Sequence, residues 1–366
     1  MRIDWPTFAV KPSSIISALC YSIFRLEPYR SCPYGCVYCY ASWYRSPHPV
    51  AGRRLVKQWR RLAEQLGRAG VPPPYFRLST LAEPFQNAEA ERRFSLEIMR
   101  AAYENKVPLV VNTKSIMLGN PPWLDALLKL AEEGLVLVQV SVAALDEKLA
   151  HRLEPSAPPP SSRLALAEEL GEHGVPVVAR VQPLIPGIED EQVETARSAL
   201  EHGCRGVIVE PLRETMDGLV MVASALGVRA DEYVGLYRWE PYSPKSTALL
   251  RPGVHWRARM LNRLQREIGS RGVVTVCKDG FWPDFARYGH DCCQAWHMAA
   301  RYSLRKTVFE HLLKPGQPPP NVHLLDERDY EAFPRPVRRG LKLHHNKLCR
   351  VLESGELLAR LIGVPR

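Results

Sequence analysis

The stretch CPYGCVYCY, residues 32–40, decides how the rest of this chain is interpreted. It contains three cysteines, Cys32, Cys36 and Cys39, at a C-x3-C-x2-C spacing, with the aromatic Tyr38 immediately before the third. Three thiolates this close together can hold one face of an iron–sulfur cluster. Because a closed electron-transfer cluster uses four cysteines, a local set of three leaves one iron free for another ligand. An open coordination position of this kind is typical of a reactive metal site.

Zinc and disulfide roles fit the same spacing less well. Structural zinc sites favour paired C-x2-C units separated by longer gaps, and no matching second pair lies near this stretch. Three closely spaced cysteines do not pair among themselves, and nothing in the sequence marks the chain as secreted. A metal-free structural role for the three thiols is the alternative to the cluster.

Composition favours an enzyme of the cytoplasm. The 366 residues are 46% hydrophobic, which is enough for one large domain with an appendage or for two smaller domains. The first six residues, MRIDWP, contain an acid and a proline where a signal peptide needs an apolar run. No stretch approaches the roughly 18 uninterrupted apolar residues of a membrane span. The nine cysteines therefore predict thiols and metal ligands in the cytoplasm, with no membrane as a partner.

The chain is basic, with 49 Lys and Arg against 39 Asp and Glu and a formal net charge of +10. Positive charge attracts phosphates, so nucleic acid is a candidate partner. The basic residues are spread along the chain in short clusters, and an ordinary solvated surface explains most of them equally well. Charge alone leaves both interpretations open.

Apolar, β-branched runs alternate with amphipathic helical stretches, a pattern typical of a parallel sheet built from βα units. The predicted strands are 18–26, 75–80, 109–113, 135–142, 175–182 and 206–210. The predicted helices among them are 55–68, 88–105, 123–133, 162–173 and 189–202. Six such units predict an α/β fold, a partial and open (βα)6 barrel over residues 18–212. The rest of the chain divides into an N-terminal extension at 1–17 and a C-terminal cap or substrate region at 213–366, a mixed extension that caps the open side.

The cysteine stretch resembles the signature of radical S-adenosylmethionine (SAM) enzymes. Further segments resemble the spore photoproduct lyase-related branch of that superfamily, many of whose members are described as DNA repair photolyase-like. These segments are EPYRSC (27–32), STLAEPFQNAE (79–89), NTKS (112–115), LEP (153–155) and PLIPG (183–187). The branch commonly has an aspartate before the proline at the position where this chain has Glu83. Together the similar segments cover roughly residues 18–212.

The resemblance implies a [4Fe-4S] cluster on the three cysteines, with SAM chelating the fourth iron through its amino and carboxylate groups. Reductive cleavage of SAM would give methionine and a 5′-deoxyadenosyl radical, with the electron delivered by a reductant such as ferredoxin or flavodoxin. The fold and the cofactor follow from the resemblance, whereas the substrate does not, because function depends on the site rather than on the scaffold.

Polar residues at the carboxyl ends of the predicted strands are the candidates for SAM binding, since these ends carry the chemistry of such barrels. The candidates are Tyr38, Glu83, Lys114, Ser141 and Arg180, with Thr113, Ser115, Gln182 and Glu210 at the same ends. A cationic Lys114 or Arg180 could bind the SAM carboxylate, while Glu83 or a hydroxyl could bind its ammonium or ribose. We expect Tyr38 to lie near the adenine. An ordinary strand-end polar residue is the alternative for each of them.

A second group of potential ligands follows the predicted barrel. Its members are Cys277, His290, Cys292, Cys293 and His297. These side chains could ligate an auxiliary iron–sulfur cluster, bind zinc, or place a thiol at the substrate as a hydrogen donor. Packing of structural thiols within the cap is the alternative. We expect the cysteines of this group to face the mouth of the barrel, where the first cluster lies.

The tail departs from the βα rhythm. It contains a predicted helix at 254–271, a short strand at 273–276 and a last helix near 346–361. Residues 321–366 could cap the open side of the barrel, or their basic residues could form a phosphate-binding strip. The strip would consist of Arg335, Arg338, Arg339, Lys342, His344, His345 and Lys347. No aromatic residues alternate with these charges, so a single-strand stacking platform is weakly supported.

Two classes of function agree with the sequence. The first is a radical SAM enzyme that abstracts hydrogen from a substrate carbon, with nucleic acid as one candidate substrate. The second is an iron–sulfur binding or regulatory protein that performs no catalysis. The strand-end polar groups favour the enzyme, because a protein without SAM has no need of cations and carboxylates around an open iron.

Overall fold

A seven-stranded parallel sheet forms the centre of the computed structural model, which describes residues 7–42, 51–243, 246–281, 291–309 and 327–362. Its strands are β1 Arg25–Leu26, β2 Phe76–Leu78, β3 Leu109–Thr113, β4 Val136–Ser141, β5 Val177–Leu184, β6 Gly206–Pro211 and β9 Val273–Val276. Strands β7 Glu240–Ser243 and β8 Ser246–Arg251 form a separate antiparallel hairpin. The sheet order is β1-β2-β3-β4-β5-β6-β9, and no pairing between described residues joins β1 to β9. The sheet is therefore an open, partial barrel, as predicted.

Helices cover the outer face of this sheet and extend beyond it. They are α1 Ser14–Leu19, α2 Gly52–Gly67, α3 Ala88–Arg92, α4 Phe94–Glu104, α5 Trp123–Glu132, α6 Glu147–Leu153, α7 Pro160–Glu172, α8 Glu189–Glu201, α9 Met216–Leu226, α10 Ala230–Leu236, α11 Val254–Ile268, α12 Glu327–Ala332, α13 Arg335–Leu352 and α14 Gly355–Ile362. Helix α2 buries Leu55, Trp59, Leu62 and Leu66, which recur at intervals of one helical turn. Among the described residues, no helix has the length and apolar character needed to cross a membrane.

The first strand is shorter than predicted. We predict a strand over 18–26 from its apolar residues, but α1 occupies Ser14–Leu19 and β1 covers only Arg25–Leu26. The Ser13 hydroxyl accepts a hydrogen bond from the Ile16 amide at 3.0 Å. A serine in this position satisfies a free amide at a helix start, so a local cap outweighs the strand preference of the following residues.

The predicted helix at 88–105 is two helices. Arg93 separates them with a φ of 55°, in the left-handed region. The buried Glu89 carboxylate accepts hydrogen bonds from the amides of Ser95 at 3.0 Å and Leu96 at 2.9 Å, which are free donors at the start of α4. Glu89 thus caps the second helix from within the first, and the left-handed Arg93 separates the two.

The sheet continues past residue 212, where we predict the barrel to end. Strand β9 pairs in parallel with β6, with Val274 opposite Val207. Sequence pattern finds this strand but places it in the tail, because the hairpin and three helices separate it from β6. Pairing of two strands so far apart along the chain is a tertiary outcome.

Residues 291–309 run beneath the amino ends of the strands. The Ala300 amide donates to the carbonyl of Gly134 at 3.1 Å, just before β4, and the Ser303 amide donates to Pro73 at 3.0 Å, just before β2. This segment therefore covers the end of the barrel opposite to the cysteine loop.

Helix α13 lies beside β1 at one edge of the opening. Its buried His344 contacts the Ser17 hydroxyl and the Val10 carbonyl through its two ring nitrogens, each at 2.9 Å. Burial, with the Arg305 cation nearby, lowers the pKa of His344 to about 3. His344 is therefore a neutral packing residue, and its place in the predicted phosphate-binding strip is wrong. The helix predicted at 346–361 is also divided, because α13 ends at Leu352 before α14 begins.

Candidate functional site

A cavity of about 200 Å³ opens at the carboxyl ends of the strands. The thiol-bearing residues Cys32, Cys36 and Cys39 of the loop after β1 lie in its wall. The predicted SAM-binding residues Tyr38, Glu83, Lys114, Ser141 and Arg180 line the same cavity. Parallel strands bring these residues together because their carboxyl ends meet at one end of the barrel.

Tight turns in the cysteine loop direct the three thiols to one wall. The Cys39 amide donates to the Cys36 carbonyl at 3.1 Å, and Gly35 adopts a φ of 64°, which favours glycine. All three thiols are half-buried. Burial raises the pKa of Cys32 and raises that of Cys36 to about 12. A metal group would supply the positive charge that such thiols need in order to ionise.

The donor set fits a cluster better than a single metal ion. No group of three or more His, Cys, Asp or Glu side chains in the described ranges is placed to hold one metal ion, at either cysteine group. A cubane cluster takes each cysteine on a different iron, so its ligands lie farther apart than those of zinc. Three cysteine thiols in one wall of the cavity match in type and number the donors that three irons of a [4Fe-4S] cluster take.

A buried ionic network centred on Glu154 lies next to the cysteine loop and contacts Tyr38 of that loop. Its carboxylate accepts a hydrogen bond from the Tyr38 hydroxyl and forms ion pairs with Lys114 at 2.7 Å and Arg163 at 2.5 Å. Burial alone would raise the pKa of Glu154, but the two cations outweigh it and hold the pKa at about 2. Glu154 is therefore ionised, and it links Tyr38 and Lys114 into one rigid group.

Glu154 also belongs to a segment that supports the loop through its backbone. The Val37 amide donates to the Leu153 carbonyl at 2.9 Å, and the Ser156 amide donates to the Tyr34 carbonyl at 3.1 Å. Sequence analysis includes this segment in the family resemblance but assigns Glu154 no place in the site. Only its long-range contacts reveal that place.

Glu83 is a bridge between two strand ends. Its carboxylate accepts hydrogen bonds from the Thr113 hydroxyl at 2.6 Å and from the amides of Lys114 at 2.8 Å and Phe85 at 3.1 Å. Burial raises its pKa despite these donors. Glu83 thus holds the backbone of Lys114 at the cavity wall, in addition to lining the cavity itself.

Arg180 is held by two neutral amides. Its guanidinium donates to Gln139 Oε1 at 2.6 Å and to Gln182 Oε1. The Gln139 amide nitrogen in turn donates to the Cys293 carbonyl at 2.8 Å, which directs its oxygen toward Arg180. The segment at the opposite end of the barrel therefore determines the orientation of a residue that lines the cavity.

Sequence analysis does not predict several of the residues that line the cavity. They are Tyr34, Tyr40, Arg77, Arg213 and Lys278. Arg77 gives a detectable signal, since an arginine within the apolar strand β2 must face either solvent or a polar interior. The others lie in irregular segments, where no periodicity indicates the direction of a side chain.

The cysteines of the second group do not line the cavity, so the prediction that they face the barrel mouth is wrong. Cys277, Cys292 and Cys293 are 4%, 1% and 2% exposed. The Cys292 carbonyl accepts from the Thr275 hydroxyl at 2.9 Å, inside the barrel. The three thiols are mutual neighbours, because that of Cys292 hydrogen-bonds to both others, and this contact lowers the pKa of Cys277 to about 6. His290 lies outside the described residues.

Comparison with known families identifies the domain that carries this site. The model of the radical SAM superfamily matches residues 26–200. Residues 26–200 form a radical SAM domain. A domain of this superfamily indicates an enzyme, and members of the superfamily use a [4Fe-4S] cluster and SAM.

Relatives of the radical SAM domain include proteins of a bacterium and a virus. An uncharacterised protein of Mycobacterium tuberculosis is 27% identical over 238 residues, which are 61% of this chain and 69% of the relative. An uncharacterised protein of Acidianus two-tailed virus is 35% identical over 92 residues, which are 25% of this chain and 29% of the relative.

Among solved structures, spore photoproduct lyase is similar in fold. One mutant matches with a TM-score of 0.56 and 14% identity, over 73% of this chain and 78% of that one. Another mutant, with bound AdoMet and dinucleoside spore photoproduct, matches with a TM-score of 0.54 and 14% identity, over 70% and 76% of the two chains. The likeness at this identity is one of fold.

Proposed function

We propose that Cys32, Cys36 and Cys39 hold a [4Fe-4S] cluster and that the adjoining cavity binds SAM, so that the enzyme abstracts hydrogen from a substrate carbon. The bound cluster and SAM supply the chemistry, a one-electron reductive cleavage that yields a 5′-deoxyadenosyl radical. The observation that carries this proposal is that the three thiols and the five strand-end groups line one cavity.

Lys114 is the proposed partner of the SAM carboxylate. Its ammonium lies 2.7 Å from Glu154 and 3.2 Å from the Tyr38 hydroxyl. Because Glu154 already pairs with Arg163, it neutralises Lys114 only in part, and an ammonium has three donors. A second carboxylate can therefore bind Lys114 from the cavity side. Tyr38, held by the same network, would then lie beside the adenine.

Glu83, Ser141 and Arg180 complete the proposed SAM site. The hydrogen bonds of Glu83 leave acceptor capacity for an ammonium group, since a carboxylate has about four lone-pair sites. Ser141 offers a hydroxyl to the ribose at the end of β4, and Arg180 offers a fixed guanidinium from β5. These roles follow from the placement of the residues around the cavity.

The cofactor chemistry specifies neither the substrate nor the reductant. Nucleic acid is the substrate that we propose, supported by the net charge of +10 and by the fold shared with spore photoproduct lyase. An external reductant such as ferredoxin or flavodoxin would deliver the electron.

Anaerobic reconstitution tests the proposal. Protein loaded with iron and sulfide should be brown and should convert SAM to 5′-deoxyadenosine when dithionite is added, as measured by chromatography. The triple variant C32A/C36A/C39A is the control and should release none. Cluster loading without 5′-deoxyadenosine would instead indicate an iron–sulfur binding or regulatory protein. A screen of DNA, RNA and small metabolites for faster release would then identify the substrate class.

A further inference from the structure

Cations in the cavity outnumber the carboxylates that could balance them. The cationic residues in its wall are Arg77, Lys114, Arg180, Arg213 and Lys278. Lys114 pairs with Glu154, and Arg213 pairs with Glu210. Within the described part of the chain, no carboxylate lies at ion-pair distance from Arg77, Arg180 or Lys278. These three cations therefore line the cavity without a described carboxylate at ion-pair distance, although Glu210 acts electrostatically on Lys278.

Arg77 is the most enclosed of the three. It is 7% exposed, and its Nε atom has no hydrogen-bond partner among the described residues. A buried guanidinium nitrogen without a partner is costly, since the donor has lost water and gained nothing in exchange. Its position on β2 directs it into the barrel, where the cavity is the space available to a partner.

Lys278 approaches the same region from the other edge of the sheet. It follows β9, and its ammonium lies 5.9 Å from the centre of the Tyr40 ring. Arg77 and Lys278 both act electrostatically on the Tyr40 hydroxyl, which donates to the Thr80 carbonyl after β2. Both cations therefore lie near Tyr40 in the wall of the same cavity.

The cofactors supply only part of the missing negative charge. A [4Fe-4S]²⁺ core on three thiolates has one net negative charge, and SAM that binds iron through a neutral amine keeps a sulfonium and a carboxylate, which cancel. The wall holds five cations and two carboxylates, Glu83 and Glu210, and Glu154 behind it is shared between Lys114 and Arg163. Positive charge therefore remains in excess in the cavity wall.

We propose that the substrate carries a phosphoryl group and that this group binds between Arg77 and Lys278, at the opening of the barrel. The proposal rests on the proposed function, because it assumes that SAM occupies the rest of the cavity. Arg77 contributes a forked donor and Lys278 a mobile ammonium, a pair suited to phosphate oxygens. The amide nitrogen of Gln182, also in the wall and without a partner among the described residues, adds a third donor. Three donors from separate strands suit a tetrahedral anion better than a planar carboxylate.

Calorimetric titration of the cluster-loaded protein, saturated with SAM, measures this site with inorganic phosphate as the probe. The variants Arg77→Met and Lys278→Met should each raise the Kd for phosphate by roughly tenfold or more, the loss of one charge-assisted hydrogen bond. Arg77→Lys keeps the charge and should retain part of the affinity. Arg68→Met is the matched control, because the Arg68 side chain is 78% exposed, and its Kd should stay within about twofold of wild type.

Two further ligands identify the source of the phosphoryl group. Tighter binding of the dinucleotide dTpT than of phosphate indicates nucleic acid, and the reverse order indicates a small phosphorylated metabolite. Acetate that binds as tightly as phosphate would overturn the phosphoryl assignment. If Arg77→Met does not fold, Lys278→Met alone decides the outcome, since its side chain borders the cavity at the other edge.

The failures of the two proposals are separable. A protein that cleaves SAM but binds no phosphate, or binds it equally well in both variants, contradicts the phosphoryl site and leaves the proposed function standing. Phosphate binding that depends on Arg77 and Lys278, in protein that releases no 5′-deoxyadenosine, contradicts the proposed function and leaves the anion site standing.

Discussion

The two ends of the barrel place their cysteines in different surroundings. At the carboxyl ends of the strands, the thiols of Cys32, Cys36 and Cys39 are half-buried and line a cavity with charged side chains around it. At the opposite end, Cys292 and Cys293 are almost fully enclosed, and their carbonyls accept hydrogen bonds from side chains inside the barrel.

The difference shows that local cysteine density does not by itself define a metal site. The first group lies on a loop that leaves the sheet at its functional end, so the thiols face open space. In the second group, Cys292 and Cys293 lie on a segment that fills the barrel from below, and they are enclosed together with Cys277, which directly follows β9. The same side chain can serve as a ligand in one place and as packing in the other.

The largest effect is expected for variants of the cysteine loop, because only this group of cysteines is proposed to hold the cluster. Changing Cys32, Cys36 or Cys39 to Ala removes one anchor of the cluster, and neither water nor a distant side chain replaces it. Iron content and visible absorbance after reconstitution should fall to background. Normal cluster loading in the triple variant would overturn the assignment of the loop. The variant Cys204→Ala is a control with a more deeply buried thiol outside the cysteine loop, and its iron content should equal that of wild type.

Glu154→Gln tests how much the buried ionic network behind the cysteine loop contributes to the stability of the folded chain. The variant leaves Arg163 and Lys114 without their anion while keeping the shape of the side chain. We expect the free energy of unfolding to fall by roughly 3 kcal/mol, as for a buried ion pair that loses one partner. Urea denaturation measures the change. Glu168→Gln, on the exposed face of α7, should change it by less than about 0.5 kcal/mol.

The pH dependence of the same variant gives an independent test. The pKa of Glu154 is about 2 in the folded chain and near its ordinary 4.5 when unfolded. A lowered acid pKa contributes stability that is present above pH 4.5 and lost as the pH falls toward 2. The difference in unfolding free energy between wild type and Glu154→Gln should therefore be constant near neutral pH and shrink below about pH 4.5. A difference that does not vary with pH would show that Glu154 is not ionised.

Lys114→Met should have a smaller effect on stability, because Glu154 keeps its ion pair with Arg163, and a direct effect on the cofactor. Loss of a charge-assisted contact with the SAM carboxylate should weaken SAM binding by roughly 1.5 to 3 kcal/mol, measured as a dissociation constant by calorimetry on cluster-loaded protein. Lys129→Met, at an exposed position on α5, is the control. An unchanged dissociation constant in Lys114→Met would reject this role for Lys114.

Cys292→Ser should have the smallest effect of these variants. It tests whether the second group of cysteines binds metal. A serine hydroxyl in place of a buried thiol should cost about 1 kcal/mol of stability and leave the iron content of reconstituted protein unchanged. Iron in excess of one cubane cluster that disappears in this variant would show that the second group binds an auxiliary cluster. Zinc at about one equivalent would show a zinc site.

Sequence reasoning succeeds where one local pattern decides the structure. The spacing of Cys32, Cys36 and Cys39 and the βα alternation are local, and they predict the cluster loop and the parallel sheet. Strand-end positions such as Lys114 and Ser141 follow from the rule that parallel strands present their carboxyl ends together. The same reasoning fails for β1, because a serine cap at Ser13 starts a helix within the apolar run.

By itself, the sequence determined the fold class and the end of the barrel at which the cysteine loop and the strand-end polar residues lie, because each depends on residues close together along the chain. Only the tertiary structure decided that Glu154 supports Tyr38 and Lys114, that Arg77 and Lys278 line the same cavity, and that Cys292 and Cys293 lie away from it. These outcomes depend on contacts between residues that lie tens to hundreds of positions apart in the sequence. The neighbours that bury or neutralise such a residue cannot be predicted from a local sequence pattern.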